Sequence, residues 1–568
     1  VNYIFRRDFT GLEVDVSTQE TDLGGQTDDK MSVILGTELG NGNLVFALSS
    51  LDRSPLSGSA FDPSLALVGI SGFGTSFLAF GAGTVDSGPY AGSYSAFENI
   101  PDPNCIANKG IIFPQASGSR CGFFYGDRFN VVNDEDHLNT YTSYKMDLEN
   151  GRTFKFDYLT SKIDVNDNFQ SPSYPALSLA TPANVILPGQ GGSPFAFPVM
   201  FLGRALGSAF ASPPAPRSLE AERLSLGISG EMANGFDMDL NYTFSAEQNS
   251  GKQPDTSTSR FLNAIRGGSG SPGTWNLFDS TSNSQELIDY ISTAQGTFVD
   301  VELHVLDFVM TGTVNDLEVA TGFQMRKEHH DVARNDDSIA GFDANGNLAV
   351  PADLIFLGGG IETSASRSAY AIFAEAAKQA SERVELRGAI RYEKLESDSS
   401  INPKVSIRMQ ANDNLVLRGS LSTSFREPSL SQLNQSSVGL QGIQDFDAAG
   451  NAVGQPSFIR IAQAYSSDLI PEESTNLNIG AIWTPNDQFS AKFDYWSIDY
   501  TDVITIESAQ GKVIADPNGP DVQRLVDGTL IGVTTRYKNA SEVDTDGYDI
   551  EASYNFESRL GDVTLGIN

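Results

Sequence analysis

The chain is poor in the residues that carry most enzyme chemistry. Of 568 residues, 4 are His and 2 are Cys. His137, His304, His329 and His330 show no helical metal-ligand spacing, and no further Cys or His lies near Cys105 and Cys121 to complete a zinc site. No catalytic constellation, metal site or cofactor motif emerges, so the chain is not read as an enzyme. Basic residues are scarce too: 37 Lys and Arg against 72 Asp and Glu, a formal net charge of −35. That excludes a face able to neutralise nucleic-acid phosphates. No apolar run reaches the ~20 residues of a membrane-spanning helix. A membrane β-barrel is not excluded by this, because only every second residue of its strands meets lipid. No signal peptide is present, the first residue is Val, and the last stretch, Asp562 to Asn568, alternates to its end. The sequence is therefore read as part of a longer protein.

What is there is alternation. In Ser381–Leu433, Val384, Leu386, Gly388, Ile390 and Tyr392 point one way, and Glu385, Arg387, Ala389, Arg391 and Glu393 the other. This period of two predicts a strand with one apolar and one polar face. Val405, Ile407 and Met409 repeat it, Asn412-Asp413-Asn414 turns the chain, and Leu415, Leu417 and Leu421 begin again. The cleanest strand carries Phe236, Met238, Leu240, Tyr242 and Phe244 opposite Asp237, Asp239, Asn241, Thr243 and Ser245. Roughly 17 such strands follow one another, joined alternately by tight turns and by long Gly-, Pro- and Ser-rich connections. Two links of the long class, Thr21–Asp28 and Glu396–Ser400, are short. All tight turns thus fall at one end of the array. An outer-membrane barrel is built this way, with short periplasmic turns and long outer loops. A Greek-key sandwich has no reason to sort its loops by length.

These stretches also resemble a known family. The segment from Ile390 to Leu433, with FREPSLSQL at its end, is similar to the mid-barrel signature of TonB-dependent outer-membrane receptors. Pro471–Ile504 and Asn539–Phe556 resemble the signatures that follow, and VNYIFRRDFTG resembles the junction between plug and barrel. The resemblance implies an all-β transmembrane antiparallel barrel of about 22 strands when complete. Residues 1–9 are then the end of the plug domain and residues 10–568 a barrel incomplete at its C-terminus. It implies active import of a scarce nutrient, either a ferric siderophore or an oligosaccharide or peptide, in the outer membrane of a Gram-negative bacterium. The implied partners are the TonB–ExbB–ExbD complex, reached through a region before residue 1, and outer-membrane lipid and lipopolysaccharide. Haem receptors of the family carry a His after this box; none lies between Phe425 and Thr475. A passive porin and a soluble extracellular adhesin are the rival readings.

Candidate ligand contacts are the lumen-face arginines Arg387, Arg391, Arg408 and Arg418. Loop aromatics able to stack on a ligand are Tyr90, Tyr94, Phe97, Phe123, Phe124, Tyr125 and Tyr174. Cys105 and Cys121 lie in a loop and are expected to form a disulfide worth roughly 3 kcal/mol; two separate thiols are the alternative. Asp343–Asn347 and Asp447–Asn451 look like calcium-loop starts without a closing Glu, and are read as hairpin turns. Arg426-Glu427-Pro428 is read as a structural rim feature. Phe154, Tyr242, Trp496 and Tyr554 are expected to face lipid or form girdles.

Overall fold

The computed structural model describes residues 5–22, 25–64, 69–167, 173–176, 185–396, 398–525, 528–559 and 561–568. One twenty-stranded sheet dominates. Three of its strands, Ser437–Phe446, Ala452–Ala464 and Val522–Arg524, belong to loops, which leaves seventeen in the wall. In chain order these are β1 (Gly11–Glu20), β2 (Thr27–Leu39), β3 (Gly42–Arg53), β4 (Glu135–Asp147), β5 (Thr153–Val165) and β6 (Arg217–Glu231). They continue with β7 (Asp237–Thr256), β8 (Ser292–Val314), β9 (Leu317–Arg334), β10 (Thr363–Ser381), β11 (Val384–Lys394) and β12 (Ser399–Asn412). The last are β13 (Leu415–Arg426), β14 (Glu472–Asn486), β15 (Phe489–Ile506), β16 (Leu530–Ser558) and β17 (Gly561–Ile567). Each pairs antiparallel with the next in sequence, from β1–β2 to β16–β17. The wall is an up-and-down meander. With strict alternation, β1 and β17 run the same way, and among the described residues neither has a partner on its outer edge.

The two faces of this wall reverse the logic of a soluble protein. Large apolar side chains are exposed on one face: Ile372 at 61%, Ile401 at 62%, Tyr548 at 64% and Ile550 at 62%. On the other face Glu393 is 2% exposed and Asp157 4%. A sandwich would bury the first set and expose the second. Lipid outside and a polar lumen inside explain both.

The apolar outer run of β7, Phe236 to Phe244, is nine residues long, the span of one tilted transmembrane strand. The ladder does not stop there. β7 and β8 stay paired out to Thr256↔Ser292. Beyond Phe244 the outward face turns polar, with Glu302 near His304 and His329 bonded to Asp331. The wall therefore rises well above the lipid band, and the long connections leave from its rim.

Those connections are folded rather than irregular. The 54–134, 166–216, 257–291 and 335–362 loops share one apolar core containing Phe77, Phe195, Phe201, Phe261, Trp275 and Ile355. The helix Thr258–Arg266 inside it is capped by the Ser257 side chain and ends at Gly267, whose φ of 63° suits glycine. A second core joins Ile443 and Ile459 of the 427–471 loop to Val513 of the 507–529 loop. Ala340, Leu354 and Val438 form a third, between the 335–362 and 427–471 loops.

Candidate ligand path: lumen wall and outer loops

The lumen face follows from register, because directly opposed residues of an antiparallel pair share a face. Arg387 opposes Ser406, Ser406 opposes Ser420, Ser420 opposes Asn478, and Asn478 opposes Trp496. Trp496 therefore points into the lumen, a correction to the expectation that it faces lipid. It packs over Gly547, where an added Cβ would come within 2.6 Å of the indole. Phe154, Tyr242 and Tyr554 lie on the outward face, in register with Ile228, Leu226 and Phe489.

Arg387, Arg391, Arg408 and Arg418 all sit on the lumen face, and three of them share one groove. Arg387, Arg408 and Arg418 line it with Lys404, Glu375, Glu385 and Ser420. Arg387 reaches Glu385 at 3.0 Å and Glu375 at 3.6 Å. Arg418 makes a two-pronged bond to Asp494, at 3.0 and 2.5 Å. Arg408 stands opposite Arg418 on β13 and Glu385 on β11. Arg391 belongs to a separate cluster nearer the rim. Its guanidinium bonds Glu393 at 2.7 Å and Gln324 at 2.9 Å, while Arg326 holds the other Glu393 oxygen at 2.6 Å.

The rim motif joins this second cluster. Arg426 pairs with Glu472, which also accepts the Ile504 N–H. Glu427 lies 3.6 Å from Arg367, and Arg367 donates to the Pro428 carbonyl. The segment after β13 thus crosses the low rim left by the short β11–β12 link and docks on β10. Among the described residues, these charges are held by one another, as a structural motif requires.

At the other end, residues 5–9 lie against the lumen face of β2–β5. Phe5 stacks on Tyr141 at 4.8 Å. Arg7 donates to both Asp157 oxygens at 3.2 and 2.8 Å, and Tyr141 donates to the same carboxylate at 2.9 Å. Asn43 donates to the carbonyls of Arg7 and Phe9. Gly36 lets the chain approach, since a Cβ there would sit 1.9 Å from the Phe9 oxygen. Residues 1–4 of the expected junction lie outside the described residues.

The loop aromatics divide. Tyr90 and Phe123 are packed in the interior, at 4% and 0% exposure, so their assignment as ligand contacts is corrected. Tyr90 meets Phe77, Phe195 and Phe278 edge-on. Phe123 is covered by two guanidinium groups, Arg204 at 4.3 Å and Arg128 at 4.9 Å. Burial lowers the Arg204 pKa to about 10, and its fixed donors reach the carbonyls of Phe73 and Ser173. Tyr94 is half-buried against Phe195, and Phe124 is half-buried in the strand Ser119–Phe124. Tyr125 is exposed beside Phe129, and Phe97 is exposed beside Phe80 with a left-handed φ of 63°. Tyr174 stacks on Phe356 at 4.9 Å and takes a hydrogen bond from Gln253 of the lumen face. Phe356 and the exposed Phe458 nearby carried no signal in the sequence, because each stands alone in a polar loop.

Cys105 and Cys121 are joined by a disulfide. Asp343 caps its own turn by accepting the N–H groups of Asn345 and Asn347, and Asp447 does the same for Ala449 and Asn451. Among the described residues no three His, Cys, Asp or Glu side chains gather to hold a metal.

An antiparallel wall with lipid-compatible residues outside, ion pairs inside and folded loops at one rim defines a transmembrane β-barrel of the outer-membrane type. The chain belongs to the TonB-dependent receptor family: residues 187–568 match the family's sequence model, described as TonB dependent receptor-like, beta-barrel. No curated protein sequence matches the chain. Among solved structures it is similar to a mutant of the ferric enterobactin receptor PfeA from Pseudomonas aeruginosa, at 12% identity and TM-score 0.54, over 98% of this chain and 62% of that one. A second PfeA mutant, in complex with enterobactin, is similar at 12% identity and TM-score 0.55, over 99% and 64%. The chain thus spans less than two thirds of the length of these structures. At such identity the likeness concerns the fold.

Proposed function

We propose that this chain is the barrel of a receptor that imports a scarce nutrient across the outer membrane of a Gram-negative bacterium, powered through TonB, ExbB and ExbD. The observation that carries the reading is the reversed wall: lipid-compatible outside, ion-paired inside, with folded loops at one rim only. In this reading residues 1–9 end the plug domain, and residues 10–568 are barrel. An open strand edge is not tolerated in hydrocarbon. Closing an antiparallel barrel from two edges that run the same way takes an odd number of further strands. About five would reach the 22 of the large plugged transporters. Ligand meets the loops and the arginine-lined lumen, and the protein performs no bond chemistry. The anchoring of Phe5 and Arg7 on the lumen face favours a plugged barrel over a passive porin. Family membership leaves a ferric siderophore, an oligosaccharide or a peptide as cargo.

The test is uptake by cells lacking the full-length gene, in iron-limited and in single-glycan medium, with and without a proton uncoupler. Loss of one nutrient's uptake that the uncoupler mimics supports active import and sets the cargo class. Uptake that persists with the uncoupler and stays linear in concentration supports a porin.

A further inference from the structure

The rim carries an unpaired strand edge. The β11–β12 hairpin tops out at the pair Lys394↔Ser399, so β10 meets β11 only from Tyr370↔Lys394 downward. Thr363 to Ala369 rise above that level, with β9 as their only strand neighbour among the described residues. Every second residue of such an edge points its N–H and C=O away from the sheet. Among the described residues no backbone group bonds them on that side. The edge starts where lipid ends. Tyr370 is exposed on the outward face, and Ser368, Ser366 and Ser364 above it oppose Lys327, His329 and Asp331.

A crevice of about 500 Å³ runs beside this edge, and Ser364, Ala365, Ser366 and Arg367 all line it. Consecutive residues of a strand point to opposite faces, so a groove that meets all four lies along the edge rather than on either face. The helix Leu430–Asn434 and the segment Asp468–Pro471 line its other side, and Glu396 and Asp398 of the β11–β12 link close it below. A strand added to β10 would sit ~4.8 Å from it, within this crevice.

The charges choose the occupant. Arg367 is taken up by Glu328 at 2.7 Å, by Glu427 at 3.6 Å and by the Pro428 carbonyl. Lys394, beside the link, donates to the Asp398 carbonyl. Glu396 and Asp468 are exposed and have no ion-pair partner among the described residues, and the Asp398 carboxylate accepts the Ser399 N–H alone. The free charge of the crevice is negative, and its free hydrogen-bonding groups are those of a strand.

We propose that the β10 edge and its crevice are a docking site for an extended, basic peptide from outside the cell, which adds to the wall as a further strand and sets its cationic side chains against Glu396, Asp398 and Asp468. The proposal rests on the outer-membrane reading for placing this rim outside; the binding itself needs no energy coupling.

The probe is a fluorescently labelled hexapeptide alternating Lys and Val, titrated by anisotropy into the full-length receptor in phosphatidylcholine vesicles. Saturable binding is expected, with a Glu–Val peptide of the same length silent. The Lys–Val peptide N-methylated at every amide should bind at least about tenfold more weakly, because methylation keeps the charge and removes the donors. Glu396→Gln with Asp468→Asn, two exposed changes, should weaken binding roughly fivefold, and Glu396→Lys with Asp468→Lys should pass the preference to the Glu–Val peptide. No saturable binding of the Lys–Val peptide, equal binding of its methylated form, or equal binding by the Gln/Asn variant overturns the proposal. So does a Ser366→Cys receptor that forms a disulfide-linked dimer, for then the edge belongs to a second copy. Binding without uncoupler-sensitive uptake would count against the transporter reading and leave this site standing; uptake without binding would do the reverse.

Discussion

Glu393 offers the sharpest test of how the wall is held. It is 2% exposed and carries Arg326 at 2.6 Å on one oxygen and Arg391 at 2.7 Å on the other. Replacing it with Leu keeps most of the volume and leaves two guanidinium groups facing each other across an apolar side chain. Removing one partner of a buried ion pair costs about 3–5 kcal/mol. The two arginines are 26% and 30% exposed, so water relieves part of the charge and the low end, about 3 kcal/mol, is expected. Reversible urea unfolding of the full-length receptor folded into lipid vesicles measures it. Glu393→Gln, which retains hydrogen-bonding groups and loses the charge, should fall between wild type and Leu. Arg391→Met in the Glu393→Leu background should recover part of the loss, because it removes one of the stranded cations. A loss below about 1 kcal/mol, the scale of a solvent-exposed pair, would refute the reasoning.

Three further outcomes are expected. Ile372→Arg, on the outward face in register with Phe323 and Tyr392, should cost about 2–4 kcal/mol in a bilayer, whereas Glu302→Arg above the lipid band should stay within about 0.5 kcal/mol by the same unfolding assay. Phe77→Ala removes a fully buried ring stacked on Phe278 at 4.2 Å and should destabilise the loop layer by about 3–5 kcal/mol, seen as protease sensitivity of the loops with the barrel intact. The Arg524 guanidinium holds the Asp445 carboxyl below its ordinary value, so that contact is fully present above about pH 4 and is lost as pH falls through the lowered value. Hydrogen exchange of the Val522–Arg524 amides, corrected for the intrinsic pH dependence of exchange, should quicken in that acidic window in wild type and show no such step in Asp445→Asn.

Alternation made the wall legible. Strands such as Phe236–Phe244 and Val384–Tyr392 separate their faces because one meets lipid and the other water, and the turn-and-loop sorting fixed their direction. The same physics hid the upper wall. Beyond Phe244 the outward face of β7 leaves the lipid and the strand end at Asp255 and Thr256 is covered by loops, so the hydrophobic period ends while the ladder runs on to Thr256. The order in the loops is hidden because most of their strands are two to six residues long, as in Ser76–Ala79 and Val199–Phe201, too short to show a period; Ser437–Phe446 and Ala452–Ala464 are longer. For that reason Tyr90 and Phe123 looked like free stacking surfaces when they are core. Trp496 differs from its expected place for another reason: an aromatic residue reads as lipid-facing in isolation, and only register with Asn478 and Gly547 places it inside. The clustering of Arg387, Arg408 and Arg418 likewise needs register, since they come from three strands.

The measurement that most directly tests the central claim is a spin-label scan of residues 236–256 in the full-length receptor in lipid vesicles, comparing oxygen with aqueous nickel accessibility. The account predicts that even-numbered positions from Phe236 to Phe244 favour oxygen and odd-numbered ones favour nickel. From Ala246 onward the alternation should vanish, with nickel favoured at every exposed position. Uniform nickel access from residue 236 onward, with no oxygen-rich band, would contradict a lipid-facing wall and with it the transporter reading.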